Sequence, residues 1–476
     1  MSWAGIFNIG FRIAREKNII DKGIGICAFT SLLGSYDRPR ATVFFSSVNK
    51  LLTTINLLNR SMSYGVLMFK KNYRYLISIS LFFASFLPIS SVAQDLNEVD
   101  QQKITEVLEK SLEEFKIPGF VALVTNSDKN IYSEAFGLAN VARGEPMQVD
   151  SIFQIASMTK PITSAGLMIL VQQGLVKLDD NISDHISDLP PFEIFDQVNL
   201  ETGAFSTKIA KNSITIRHLF THTSGLAYNF NSFELAATKQ PLFNSERYLL
   251  QHEPGEKWTY GPSTNLLGEV IEEHSGLGLF EYMQEKLFVP LSMEETFFVV
   301  PDSKMTRVVT RHAKVGDNFS ELPQPSKLAF PELGHGGLSS TAPDYAKFMR
   351  LFLRDGITDS GVRIFDPSTI NLISRNHIGE LRAELQPASR PDFAKAFPQR
   401  PGIDTWGLGF QLSGSSELNE RSIGSMSWAG IFNTEFWIDR EKNIAAVLMM
   451  QYLPFDDEVH IEILKRFEEA IYTNLN

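Results

Sequence analysis

The sequence predicts an α+β fold: one sheet built from both ends of the body, covered by terminal helices, with a large helical insertion between. Three observations predict it. Short apolar runs of strand length occur at 120–125 and 131–136 and again at 436–439 and 444–451. The stretches between them read mostly as helical patches and loops. No segment rich in Pro, Gly or Ser divides the body into separate domains.

The beginning of the chain stands apart from that body. Residues 1–20 match residues 426–445 at fifteen of twenty positions, and the match then stops. A structural repeat extends over a whole supersecondary unit, and this one does not. From Met68 the chain carries a basic head (Lys70, Lys71, Arg74), an apolar run at 76–89 and a small-x-small site at Ser91, Val92 and Ala93. Those are the parts of a secretory signal peptide. Translation is therefore expected to start at Met68 or Met62. Residues 1–67 read as a non-native leader, the fragment of a tandem paralogue, 68–93 as the signal peptide and 94–476 as the folded domain. The alternative is a genuine extension with 76–89 as an internal anchor, although that run is shorter than the ~20 residues a span needs. Export to the periplasm or medium follows from the first reading, with no stable membrane insertion after cleavage.

Charge and cysteine content narrow the function. The chain has a net charge of −11, with 44 basic and 55 acidic residues. Residues 1–93 hold 11 of the basic and 3 of the acidic ones, so the remainder has a net of −19. Nucleic acid and anionic membranes repel such a body. Cys27 is the only cysteine, which excludes a disulfide framework and a thiolate metal site.

In chain order, residues 95–115 place Ile104, Val107, Leu108, Leu112 and Phe115 at helical spacing, ending at Pro118 and Gly119. Residues 120–125 form a continuous apolar run, as in a strand buried on both faces. A turn at 127–130 leads to a second strand at 131–136. Within the apolar stretch 153–174 a helix is expected to start at or near Ser157, with Pro161 in its first turn and Gly174 at its end. Helical patches follow at 216–221, 265–274 and 343–354. Residues 436–439 and 444–451 read as strands around a turn, and 458–474 as a closing amphipathic helix.

The helix at 153–174 carries the chemistry. Ser157 and Lys160 stand three apart, so their side chains share one face. Ser157 lies at or near the helix start, where amide dipoles favour developing negative charge. Partial burial lowers a lysine pKa enough for it to act as a base. Together they suit a nucleophilic serine with a lysine base. The same spacing at Ser47 and Lys50 falls in the leader and is discounted. Four more stretches accompany the pair: IRHLFTHTSGL at 216–226, PGEKWTYGPSTNLLG at 254–268, GHGGLSSTAPDY at 334–345, and GSMSWAGIFN at 424–433 behind WGLGFQL at 406–412.

On those five ordered stretches the chain resembles the serine hydrolases related to class C β-lactamases and penicillin-binding proteins, most of all their family VIII carboxylesterases. The resemblance runs over roughly 104–470. Ser157, Met158, Thr159 and Lys160 match the S-x-x-K motif, Tyr260 the tyrosine of the second motif, and Trp428, Ala429 and Gly430 the place of K-T-G or W-G-G. The resemblance implies a β-lactamase/transpeptidase-like fold, an antiparallel sheet with helices plus an all-helical region, and a serine hydrolase domain at 94–476. It implies Ser157 as nucleophile, Lys160 as base, and Tyr260 as proton relay held near the lysine. The backbone N–H groups of Ser157 and Ile431 would form the oxyanion hole, with Trp428, Ala429 and Gly430 against the substrate.

The departures bear on substrate. Pro262 fills the Asn position of Y-x-N, and Asn265 nearby is not a simple substitute. Trp428 stands where β-lactamases carry the lysine that faces a substrate carboxylate. Both shift the expectation towards neutral, apolar esters. His218 and His222 are spaced i, i+4, but Leu219 stands where H-E-x-x-H has its base, so no metal and no cofactor are expected. There is no G-x-S-x-G, and the glycines at 334–337 lack the Lys-Ser/Thr of a phosphate loop, reading instead as a close turn near the site. The expected function is cleavage of a small-molecule ester through an acyl-enzyme. The alternatives are a β-lactamase or D-Ala-D-Ala carboxypeptidase acting on an amide, and a catalytically silent binder of peptidoglycan or acyl compounds.

Overall fold

The two ends of the body meet in one sheet in the computed structural model, which describes residues 98–241 and 246–475. From the front come β1 (Gly119–Asn126), β2 (Asn130–Asn140) and β3 (Glu145–Pro146). From the back come β4 (Thr405–Trp406), β5 (Gln411–Leu412), β6 (Met426–Gly430), β7 (Thr434–Asp439) and β8 (Ile444–Met449). The order is β4-β5-β6-β7-β8-β1-β2-β3, antiparallel at every pairing. The seam is β1 against β8, where Val121 faces Met449 and Val124 faces Ala446.

Among the described residues, five helices of twelve residues or more complete the scaffold. They are α1 (Glu98–Phe115), α2 (Thr159–Gln172), α3 (Ser263–Ser275), α4 (Ala342–Leu353) and α5 (Glu458–Asn474). All of β1 is buried, and its side chains alternate between two cores. Val121 and Leu123 face the core shared with α2, α3 and α4. Phe120, Ala122 and Val124 face the core shared with α1 and α5. That is why the strand reads as an unbroken apolar run. Helix α2 is buried along its length from Thr159 to Leu170, which is why it reads as apolar all round. Gly174 follows its end with φ +76°, the left-handed turn that stops a helix.

The middle of the chain differs from the expected helical insertion. Phe192–Val198 pairs with Phe205–Ile209 and Tyr248–Leu250, and His312–Val315 pairs with Asn318–Glu321 and Tyr452–Leu453. FEIFDQV and FSTKI put polar residues on both strand faces and stay largely half-buried or exposed. They lack the alternation that marks a strand in sequence. Strand β2 also runs past the expected 136 to Asn140. Gly137, within that strand, is a close approach: a Cβ there would lie 2.3 Å from the Pro118 carbonyl oxygen.

The expectations for the leader, for Ser47 and Lys50 and for the signal peptide all fall outside the described residues. Among the described residues no helix is long and apolar enough to cross a membrane.

Candidate active site

Ser157 sits in a 3₁₀ turn, Ala156–Met158, immediately before α2. Ala156 holds φ +45°, a left-handed conformation that costs a residue with a Cβ about 1–3 kcal/mol. The surroundings hold that turn in place. Ile155 N–H donates to Leu338 O at 3.0 Å, Leu338 N–H to Thr159 Oγ1 at 3.2 Å, and Tyr345 O–H to Met158 O at 3.1 Å.

Lys160 is 1% exposed. Its Nζ lies 3.1 Å from Ser157 Oγ, 3.0 Å from Tyr228 Oη and 2.7 Å from His335 O. Its hydrogen-bond partners among the described residues are thus two hydroxyls and a carbonyl, with no carboxylate to hold the ammonium. Burial accordingly drives its pKa well below the ordinary lysine range.

Tyr260 is also brought to the site, in a different attitude from the expected one. Its ring lies over Lys160, 4.8 Å from Nζ to centroid. Its hydroxyl is turned towards Ser157 and accepts from Trp428 Nε1 at 3.3 Å. The lysine's tyrosine hydroxyl belongs instead to Tyr228. Burial pushes both phenols up, so both are neutral at pH 7.

Trp428, Ala429 and Gly430 end β6 beside this group, with Ile431 following. Gly430 is required there: a Cβ would sit 2.4 Å from the Ile155 oxygen, just before the serine turn. Ser157 and Ile431 line the same cavity of about 190 Å³. Its wall is apolar, with Phe230, Phe393, Phe397, Phe455 and Trp428 prominent, and no Lys, Arg, Asp or Glu lines it.

Other sequence candidates lie elsewhere. Pro262 caps the start of α3, and Asn265 Nδ2 donates along that helix to Glu269 Oε1 at 2.8 Å, not to the serine. His218 closes a capping box with Thr215. His222 is buried among the rings of Tyr260, Trp258, Trp406 and Trp428, and accepts from Gly261 N–H at 3.4 Å. Among the described residues no group of three or more His, Cys, Asp or Glu is placed to hold a metal.

Sequence reasoning missed Tyr228 and His335. Tyr228 lies two residues beyond the 216–226 stretch, and His335 sits inside the glycine turn read only as a backbone feature. That turn is indeed close: a Cβ on Gly334 would lie 2.4 Å from Thr264 O. The signal was present in both stretches, but no local spacing ties either residue to Lys160, 68 and 175 positions away.

Comparison with known proteins places the site in context. The family model described as beta-lactamase matches residues 104–469. Monacolin J acid methylbutanoyltransferase of Aspergillus terreus is 28% identical over 408 residues, covering 76% of this chain and 93% of its own. Lovastatin esterase of Penicillium rubens is 27% identical over 393 residues, covering 75% and 94%. The unliganded structure of simvastatin synthase from Aspergillus terreus superposes with a TM-score of 0.66 at 23% identity, covering 79% of this chain and 98% of that one.

Proposed function

The chain belongs to the β-lactamase family, and from that premise we propose that it is a serine hydrolase that cleaves carboxylic esters through an acyl-enzyme on Ser157. One observation carries the reading: a buried lysine, with no carboxylate partner among the described residues, lies 3.1 Å from the serine hydroxyl. Ser157 Oγ attacks the ester carbonyl carbon while its proton passes to Lys160 Nζ. The N–H groups of Ser157 and Ile431 hold the oxyanion. Tyr260, its hydroxyl turned towards Ser157, passes a proton to the departing alkoxide and is reprotonated by the Lys160 ammonium, which returns to the neutral amine. Water then repeats the cycle and releases the acid.

The cavity supports a neutral acyl group. Trp428 presents an apolar ring where β-lactamases have a cation, and no charged side chain lines the wall. Losing one charge-assisted contact costs about 1.5–3 kcal/mol, roughly ten- to a hundredfold. We expect kcat/KM for a C2–C6 p-nitrophenyl ester to exceed that for nitrocefin by at least roughly a hundredfold, and Trp428→Lys to narrow the gap. Nitrocefin hydrolysis as fast as the best ester overturns this substrate class in favour of a β-lactamase. A fluorophosphonate probe decides against a silent binder if it labels Ser157.

Two relatives support a second outcome of the same acyl-enzyme, transfer to an alcohol: the methylbutanoyltransferase above, and a hydrolase structure described as having promiscuous acyltransferase activity, superposing with a TM-score of 0.61. An added alcohol that yields no new ester in the same assay rejects it. Export is proposed from the basic head, apolar run and small-x-small site at 68–93. N-terminal sequencing of the native protein is expected to begin near Gln94, and residues before 68 on the mature chain overturn it.

A further inference from the structure

We propose that Tyr228 and His335 act as a positioning pair that aims the lone pair of the Lys160 amine at Ser157, with His335 Nδ1 serving as the terminal acceptor. This rests on the reading of Ser157 as nucleophile and Lys160 as its base.

The argument is a count of donors and acceptors. Lys160 Nζ has three partners: Ser157 Oγ at 3.1 Å, Tyr228 Oη at 3.0 Å and His335 O at 2.7 Å. A neutral amine offers two N–H donors and one lone pair. The His335 carbonyl only accepts, so it takes one N–H. The other N–H and the lone pair divide between Ser157 and Tyr228, which leaves two arrangements. In one, Ser157 O–H donates to the lone pair and the amine donates to Tyr228. In the other, Tyr228 O–H occupies the lone pair and the amine donates to Ser157. Only the first puts the serine proton on the base.

Tyr228 decides between them, and His335 decides for Tyr228. Tyr228 Oη lies 2.9 Å from His335 Nδ1. When Nδ1 is unprotonated, Tyr228 O–H donates to it and Oη is left to accept from the amine. When Nδ1 carries the proton, it donates to Oη and turns the phenol hydrogen to the lysine. Burial, and then the Lys160 charge, hold the imidazole neutral, with a pKa of about 3. One ring nitrogen is therefore an acceptor at neutral pH.

The first arrangement also matches the protonated state. An ammonium has three N–H donors, and Ser157 Oγ, Tyr228 Oη and His335 O are then three acceptors already in place. As Ser157 Oγ–H breaks, Oγ bonds the carbonyl carbon, the carbonyl π pair moves onto oxygen and the proton goes to Nζ. No hydroxyl has to turn. The second arrangement requires Tyr228 and His335 to reorient during the step, at a cost in rate. The other titratable groups facing the amine are Tyr260, whose ring lies 4.8 Å away, and His222, buried and neutral. Neither supplies a negative charge that would do the pair's work.

The test separates this pair from the reading beneath it. Labelling of Ser157 by a fluorophosphonate, and loss of turnover in Ser157→Ala, decide the nucleophile; an unlabelled wild type sinks that reading. With labelling in hand, Tyr228→Phe removes an ammonium acceptor and keeps the ring. We expect kcat to fall roughly thirtyfold or more with KM within about threefold. The acid limb of kcat/KM should move to lower pH, because the neutral amine is relatively favoured. His335→Leu should lose a similar factor. His335→Asn, whose Oδ1 can replace Nδ1 as acceptor, should recover to within about fivefold of wild type. A Tyr228→Phe enzyme within about threefold of wild type with an unmoved limb overturns the pair, as does a folded His335→Asn as slow as His335→Leu. If the variants do not fold, the ¹⁵N spectrum of the wild-type His335 ring decides: an unprotonated Nδ1 supports the pair, a protonated one overturns it.

Discussion

Lys160 and Arg421 are two buried cations of this protein in opposite company. Lys160 meets two hydroxyls, a carbonyl and a tyrosine ring, and burial drives its pKa down. On the far side of the sheet, Arg421 meets Glu468 of α5 through two side-chain bonds of 2.8 and 2.7 Å and a backbone N–H bond of 2.9 Å. Their side chains are 8% and 13% exposed, and the guanidinium also lies over Trp437. Burial pushes the Glu468 carboxyl up, but Arg421 beside it wins and holds it below the ordinary range. A buried ion with a matched partner holds two elements together. A buried amine without one is a base. The same low-dielectric interior gives structure in one place and chemistry in the other, and the difference is the presence of a carboxylate.

The sharpest way to break this contrast is to remove each cation's role in turn. Lys160→Met should lower kcat at least roughly a hundredfold, the usual scale for a general base. It should leave Tm unchanged or raised, because it removes an amine that burial desolvates without a countercharge. Calorimetry beside an ester assay checks both halves, and a large fall in Tm would erase the distinction. Glu468→Gln should do the reverse. It leaves Arg421 buried without its hydrogen-bonded carboxylate, at a cost of about 3–5 kcal/mol. Turnover per fluorophosphonate-titrated serine should stay the same. A matching loss of kcat per site would couple the two regions.

The smallest expected effect concerns pH. In the proposed mechanism neutral Lys160 is the active form, so kcat/KM should rise as pH climbs through its depressed pKa. Glu468 behaves oppositely in stability: its lowered pKa contributes stability above the unfolded carboxylate value, lost as pH falls through the folded one. Glu435 on β7 adds a third sign. Burial, opposed in part by Arg421, pushes its pKa up to about 8 from 4.5. Its stabilising contribution is full below 4.5 and declines as pH rises through about 8. Glu435→Gln should therefore gain Tm on the wild type progressively over that window. A difference constant from pH 4.5 to 8 would remove Glu435 from the alkaline loss.

Much of this was legible because it is local. The Ser157 and Lys160 spacing is a property of one helical turn, and Gly174 marks the helix end through its own backbone preference. The continuous apolar runs of β1 and β8 record burial on both faces, which any covered strand must show. Helix α5 matched its apolar spacing from end to end. By contrast, Phe192–Val198 and Phe205–Ile209 carry no such pattern, since they are only partly covered, and their pairing comes from neighbours rather than from periodicity.

By itself, then, the sequence determined which side chains could build a site: a serine and a lysine on one helical face, a tyrosine before a second helix, and the Trp428, Ala429 and Gly430 stretch. Tertiary structure decided what state they are in. It buried Lys160 at 1% exposure and gave it Tyr228 and the His335 carbonyl from 68 and 175 residues away. It turned the Tyr260 ring over the amine and its hydroxyl towards Ser157 and Trp428. It also supplied Arg421 with Glu468 from α5. Backbone preference and side-chain periodicity act over a few residues and are written in order along the chain. Desolvation and Coulomb interaction act through space on whatever the fold brings within a few ångströms, and sequence separation leaves no trace of them.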